Sequence, residues 1–178
     1  MFDPTAFENM KTVMEGALYD KDLEGEIAIL DRNDIFNSSK FAREYSVSFA
    51  LKKQKNALMT FRLFAGIRNF AGELLAIADL QKEVGCTIAV EMIVKHANNS
   101  SIYAELDKML KNIWGEEREI KQEIRLNPYA CDHMVENHLS ISFNRLVTED
   151  QLDDLIAMIN YMEKTLQLMA DNKIFYSL

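Results

Sequence analysis

The strongest constraint on the fold of this chain is an alternation of apolar and polar side chains over residues 43–52. The apolar side chains are Tyr45, Val47, Phe49 and Leu51, and they alternate with Glu44, Ser46, Ser48 and Lys52. Because successive side chains of a strand point to opposite faces, this run predicts a strand with one buried and one wetter face. Such a strand belongs to an antiparallel sheet that helices cover on one side.

Similar patterns predict the remaining strands. Residues 57–64 return after the turn at 53–56 and complete a hairpin, and a second hairpin is expected to bury Ile124 and Leu126. The polar stretches 31–34 and 37–39 are interpreted as loops. The other predicted strands span 27–30, 87–95, 119–126 and 138–147.

Helical spacing of apolar residues predicts four helices. Two of them begin with capping-box spacing, Thr5 with Glu8 and Thr148 with Gln151. Gly85 and Gly115 stand where glycine commonly ends a helix. The predicted helices span about 4–19, 68–84, 98–114 and 148–171.

These elements give the order α-β-ββ-α-β-α-ββ-α and predict an α+β fold, a mainly antiparallel sheet with helices packed on one face. The 178 residues suit one domain, 1–178. With two prolines and six glycines, the sequence shows no linker composition. A single domain is therefore expected.

The beginning of the chain lacks the basic and apolar regions of a signal peptide, and no apolar run reaches the ~20 residues of a membrane span. Two cysteines are too few for a secreted disulfide scaffold. A cytoplasmic protein without membrane contact is expected.

Charge is distributed unevenly along the chain, whose net charge is −8. Residues 1–34 carry nine acids and three bases, whereas residues 40–70 carry seven bases and one acid. Mutual neutralisation of these segments is the favoured interpretation. Contact of residues 40–68 with phosphate or nucleic acid is the alternative, although duplex binding usually needs a more basic domain, so a nucleic-acid partner is not expected.

A search for catalytic motifs finds no Gly-x-Gly-x-x-Gly, Walker loop, Gly-x-Ser-x-Gly, His-Glu-x-x-His, EF-hand loop or paired Cys-x-x-Cys. Glu91, in an otherwise apolar strand, is interpreted as a carboxylate at an edge position or paired with Lys95 or Arg125, rather than a functional acid. Whether the protein is an enzyme stays undecided, and the missing motifs favour a non-catalytic role.

One cluster carries ligand chemistry. Cys131, His133 and His138 lie within eight residues, and thiolate, imidazole and carboxylate groups bind zinc, so these three form a candidate site. Glu136 or Asp132 is the fourth ligand considered, and His96 is a possible distant one. A solvated polar loop without metal is the favoured alternative, and catalysis by Cys131 with one of the histidines is a third. No other cofactor is indicated.

The final helix has an apolar stripe wider than one sheet face requires, because Met158, Tyr161 and Leu168 extend it. Methionine adapts to irregular partners, so this surface is predicted to form an isologous homodimer.

Together these features favour an acidic, dimeric adaptor or chaperone-like module that binds a partner polypeptide. Lys52, Lys53 and Lys55 are expected to guide acidic segments of that partner to the first hairpin. Small acidic α+β dimers that act as secretion or assembly chaperones share this build, which is an analogy of fold alone. A metal- or thiol-dependent enzyme or sensor that uses the loop around Cys131 is the alternative.

Overall fold

The computed structural model describes residues 5–53, 57–75, 82–129, 134–172 and 175–176. Helices and strands follow one another along the chain in the predicted order. Their bounds are α1 Ala6–Glu24, β1 Ile27–Asn37, β2 Ala42–Leu51, β3 Ala57–Ala65, α2 Ile67–Leu75, β4 Cys86–Ala97, α3 Ser100–Trp114, β5 Glu119–Arg125, β6 Met134–Val147, α4 Leu152–Asp171 and β7 Phe175–Tyr176.

The strands form one antiparallel sheet in the order β1-β2-β3-β4-β6-β5. The short β7 pairs with β4 at Lys95 and His96. β1 and β5 are therefore the edge strands of this order. The α+β class and the order of elements predicted from the sequence are confirmed.

The sheet has two unlike faces, called here the helix face and the open face. On β2 the helix face carries the buried Tyr45, Val47 and Phe49, as the alternation predicted. Side chains of β3, β4 and β6 continue this face and join one core with α1, α3 and α4. The open face carries polar side chains, among them Glu44 and Ser48.

Helix α1 supplies a fully buried stripe to this core, consisting of Phe7, Met10, Met14 and Leu18. The Thr5 hydroxyl accepts a hydrogen bond from the Glu8 amide, which confirms the predicted start. The helix runs five residues past the predicted end at 19. It stops at Gly25, whose φ of 80° suits glycine and whose N–H bonds the carbonyls of Asp22 and Lys21.

The predicted loop at residues 31–34 is wrong, because β1 extends to Asn37 and pairs with the whole of β2, whereas Ser38 and Ser39 of the predicted loop at 37–39 do lie in a turn. A bulge at Leu30 shifts the register once. Alternate polar side chains of β1 are neutralised on the helix face: Arg32 by Glu15 and Asp34 by Lys11 and Arg43. The strand is held by its backbone pairing with β2, and its polar side chains are accommodated by ion pairs instead of apolar burial, so alternation failed to reveal it.

The second hairpin also differs in detail. β6 begins at Met134, four residues before the predicted start, so the connection is shorter than expected. Ile124 and Leu126 were expected to be buried but are 37% and 56% exposed. Only part of β5 is covered by α3, where the Gln122 amide donates to the Tyr103 carbonyl, so the end of this edge strand faces solvent.

The predicted helix over 68–84 is described only in part, since 76–81 lie outside the described residues. Gly85 was expected to cap the end of this helix. In the structure it directly precedes β4 and has a φ of 120°. The starts of α3 and α4 are confirmed by the Asn99 cap and by the Thr148–Gln151 capping box. Within the described part of the chain, no helix combines the length and the apolar character that a membrane crossing requires.

Candidate functional site

The predicted metal cluster is only partly within the described residues. Cys131 and His133 lie outside them, as does Lys55 of the predicted interaction surface. His138 pairs with Ile93 on the open face of the sheet, whereas His96 is on the helix face and is fully buried. The structure therefore does not bring His96 and His138 together.

His96 has structural partners at both ring nitrogens. Its Nδ1 lies 2.9 Å from the Ala97 carbonyl oxygen, and the Asn137 side-chain amide donates to Nε2 at 3.2 Å. The same amide of Asn137 donates to Gln122 Oε1 at 2.8 Å. This network satisfies His96 inside the core and leaves it without a lone pair directed at a ligand site.

His138 is the predicted ligand that does face the open side. Its Nε2 lies 3.7 Å from Glu136 Oε2, beyond hydrogen-bond distance, and is buried without a hydrogen-bond partner among the described residues. No group of three His, Cys, Asp or Glu side chains in the described ranges is placed to hold a metal. A zinc site at Cys131, His133 and His138 stays a prediction.

The remaining cysteine offers no catalytic thiol. Cys86 is fully buried at the start of β4. Burial raises the pKa of its thiol to about 12, so the nucleophilic thiolate is absent at neutral pH.

The basic stretch of residues 40–70 is largely neutralised within the protein. Arg43 is paired with Glu8 and Asp34, Arg62 with Glu44 and Glu91, and Arg68 with Glu83. Lys52 and Lys53 follow β2, and Lys53 borders a pocket whose other charged lining residues are acids: Glu24, Glu26, Glu163 and Asp171. The ion pairs of Arg43 join the basic stretch to residues 1–34, as the favoured interpretation expects, whereas Arg62 and Arg68 pair with acids outside that segment.

The three residues predicted to widen α4 do not form one continuous exposed stripe. Met158 packs against the core, and the Tyr161 ring lies 5.8 Å from that of Trp114. Tyr161 and Leu168 are 48% and 37% exposed, seven residues apart on one flank of the helix. Dimerisation through this flank stays a prediction, which light scattering of the purified protein would measure.

A large apolar groove, which the sequence did not reveal, lies at the opposite end of the first hairpin from Lys52. Its volume is about 870 Å³, and it lies between the start of α1, the β1–β2 turn and α2. Its large apolar lining residues are Phe36, Phe41, Ile67, Phe70, Leu74 and Leu75. We call this surface the apolar groove.

Several of these side chains are exposed to an unusual degree for their size. Leu74 is 71% exposed, Phe41 59% and Phe36 58%. Phe41 also has a φ of 48°, a conformation that bulky side chains rarely adopt, and its ring meets that of Phe36 edge-on at 6.4 Å. Exposed apolar clusters and strained residues are both features of binding surfaces.

The charged residues at the apolar groove pair with one another. Arg43 donates to both oxygens of Asp34, Nε at 3.0 Å and Nη2 at 2.8 Å, and it also contacts Glu8. Lys11 donates to Asp34 at 2.8 Å. The hydrogen bonds from Arg43, with those from Lys11, lower the pKa of Asp34 to about 2. The guanidinium of Arg43 lies 4.9 Å over the Phe7 ring, which anchors the network to the core.

Comparison with known proteins gives no assignment. No protein-family model, no curated protein and no solved structure matches this chain.

Proposed function

We propose that the protein is a cytosolic, non-catalytic module that binds an apolar segment of a partner polypeptide in the apolar groove, in the manner of an adaptor or chaperone. The observation that carries this proposal is the convergence of exposed Phe36, Phe41 and Leu74 from three elements on one groove. Monomeric proteins rarely expose such contiguous apolar surface without a binding role.

The charges at the groove argue for an uncharged occupant. Arg43, Lys11, Glu8 and Asp34 already satisfy one another. An occupant that brought its own charge would have to compete with these pairs, whereas apolar side chains would be buried without disturbing them. The anchors of the partner segment are therefore expected to be apolar.

The shape of the groove favours a polypeptide over a small molecule. Small-molecule sites usually enclose most of the ligand surface. Here the lining side chains are more than half exposed at Phe36, Phe41 and Leu74, so a small ligand would stay largely in solvent. A polypeptide segment covers an open surface of this kind by placing several anchors along it.

Peptide display against the purified protein tests the proposal. We expect selected peptides to be rich in apolar residues and to lose at least about tenfold in affinity for Leu74→Asp, because a large buried apolar anchor contributes about 1.5–3 kcal/mol. Phe36→Ser, on a different element, should weaken the same peptides.

Leu23→Asp is the matched control, since Leu23 is 85% exposed near the end of α1 and does not line the groove. It should leave peptide affinity unchanged. The proposal fails if no peptide is selected, or if the selected peptides bind Leu74→Asp as tightly as the unaltered protein.

A further inference from the structure

A second concave surface, separate from the apolar groove, lies where the end of α3 and the first half of α4 meet β6. Its volume is about 530 Å³, and we call it the aromatic cleft. Trp114 is central, with ring centroids 6.0 Å from Phe143 and 5.8 Å from Tyr161. Three aromatic rings and the side chain of Met158 thus give the cleft an apolar interior.

The backbone of β6 is distorted at this cleft. Its register with β4 changes between Ala89↔Ser142 and Thr87↔Leu146, so residues 143–145 face the single residue Ile88. Asn144, at the centre, has a φ of 49°. Bulges of this kind bend a strand and redirect its side chains, and they are frequent at functional sites. Phe143 and Arg145, on either side of Asn144, both line the cleft.

The cleft is locally cationic in an acidic protein. It is lined by two guanidinium groups, Arg118 and Arg145, and by one carboxylate, Asp154. Arg118 lies 4.9 Å over the Phe143 ring. Arg145 is exposed and forms no ion pair with any described residue. Its fork of N–H donors is therefore available to an anion, and a carboxylate matches that fork in geometry.

We propose that the aromatic cleft binds an aromatic carboxylate, with the ring against Trp114, Phe143 and Tyr161 and the carboxylate held by Arg145 and Arg118. Apolar walls with a few polar groups that fix orientation are typical of such sites. A free organic acid and the C-terminal aromatic residue of a polypeptide share this chemistry. The proposal does not depend on the apolar groove, which lies on other elements.

The test compares naphthylacetate with naphthylacetamide, which has the same ring and no charge. The indole N–H resonance of Trp114, the only tryptophan of the chain, reports binding in the cleft by nuclear magnetic resonance. We expect naphthylacetate to shift this resonance saturably and the amide to bind at least about tenfold more weakly, because hydrogen bonds to charged groups contribute most to such pairs.

Arg145→Gln is the informative variant, since the exposed side chain makes no ion pair with a described residue whose loss would unfold the protein. It should lower naphthylacetate affinity about tenfold and leave amide binding unchanged. Arg125→Gln is the matched control: Arg125 lies opposite Glu136 on the open face and does not line the cleft. The affinity of Arg125→Gln for naphthylacetate should equal that of the unaltered protein.

An acetylated tripeptide that ends in phenylalanine, as free acid and as amide, identifies the source. Tighter binding of the peptide acid than of naphthylacetate would assign the cleft to a chain terminus, and the reverse would assign it to a free organic acid. Equal binding of acid and amide, no effect of Arg145→Gln, or no shift of the Trp114 resonance would overturn the proposal.

Discussion

The guanidinium of Arg62 on β3 donates two hydrogen bonds to the carboxylate of Glu91 on β4, Nε to Oε1 at 3.1 Å and Nη2 to Oε2 at 2.9 Å. Its remaining nitrogen contacts Glu44 on β2. Glu91 is therefore a paired surface carboxylate, as expected, but its partner is neither Lys95 nor Arg125. One arginine thus connects three neighbouring strands on the open face.

Replacing Arg62 with methionine should lower the free energy of unfolding by about 1 kcal/mol, because Glu44 and Glu91 would lose their shared cation. The expected loss in the free energy of unfolding is small because all three side chains are about one-third exposed. Urea denaturation of Arg62→Met, Glu91→Gln and the double variant measures the coupling. Effects that simply add would show that the two residues stabilise the sheet independently.

The Asp34 carboxylate provides a pH-dependent test of the α1–β1 contact. Hydrogen bonds from Arg43 lower its folded pKa to about 2, from an ordinary value of 3.8. Because the pKa of Asp34 is lower in the folded than in the unfolded protein, its carboxylate contributes its full stabilisation at pH values above the unfolded pKa. This stabilisation is lost as pH falls from about 4 to about 2.

Asp34→Asn should therefore destabilise the protein by about 1 kcal/mol at neutral pH, and the difference from the unaltered protein should shrink below pH 4. Urea denaturation across this pH range measures it. Asp31→Asn is the control, since Asp31 is on the open face of the same strand and has no ion pair with a described residue. A difference for Asp34→Asn that is constant with pH would contradict this account.

Much of the fold could be predicted because its signals are local. The alternation around Val47, the N-cap at Thr5 and the capping box at Thr148 depend on residues close in sequence, and the structure confirms each of them. β1 was missed beyond residue 30 because its polar side chains pair with charged residues such as Glu15 and Lys11, which are distant in sequence.

The candidate sites could not be predicted for the same reason. Phe36 and Leu74 form one groove only after β1 and α2 are placed beside each other. Arg118 and Arg145 line one cleft, at which β6 is bulged around Asn144. The sequence signal for the apolar groove was the pair of aromatic residues that flank residues 37–40, Phe36 and Phe41. The interpretation of this stretch as a loop gave the pair no significance.

Trp114 is held in place by a hydrogen bond to the side chain of Thr165, and replacement by valine removes this bond while nearly keeping the shape of the side chain. Its indole N–H donates to Thr165 Oγ1 at 3.1 Å, and Thr165 donates in turn to the Tyr161 carbonyl at 2.7 Å. Thr165→Val should lower the free energy of unfolding by about 1–3 kcal/mol, because the N–H stays buried without an acceptor. Thr165→Ser keeps the hydroxyl and should preserve the emission wavelength of Trp114. Equal emission shifts in both variants would show that this bond does not position the indole.

Among the glycines whose surroundings the structure describes, Gly85 is the one whose replacement should destabilise the protein most, because two independent restrictions apply to it. Its φ is 120°, and an added Cβ would lie 2.6 Å from the carbonyl oxygen of Val147 on β6. Gly115 also has a positive φ, 95°, yet an added Cβ there meets nothing within 4 Å. The strained φ alone costs about 1–3 kcal/mol, so both alanine variants should be destabilised. The backbone at Val147 cannot move aside as a side chain can. Urea denaturation should therefore show a loss in the free energy of unfolding that is at least about 1 kcal/mol larger for Gly85→Ala than for Gly115→Ala. Equal losses would contradict this account, because they would mean that the β6 backbone moves at Val147 to make room for the added methyl group.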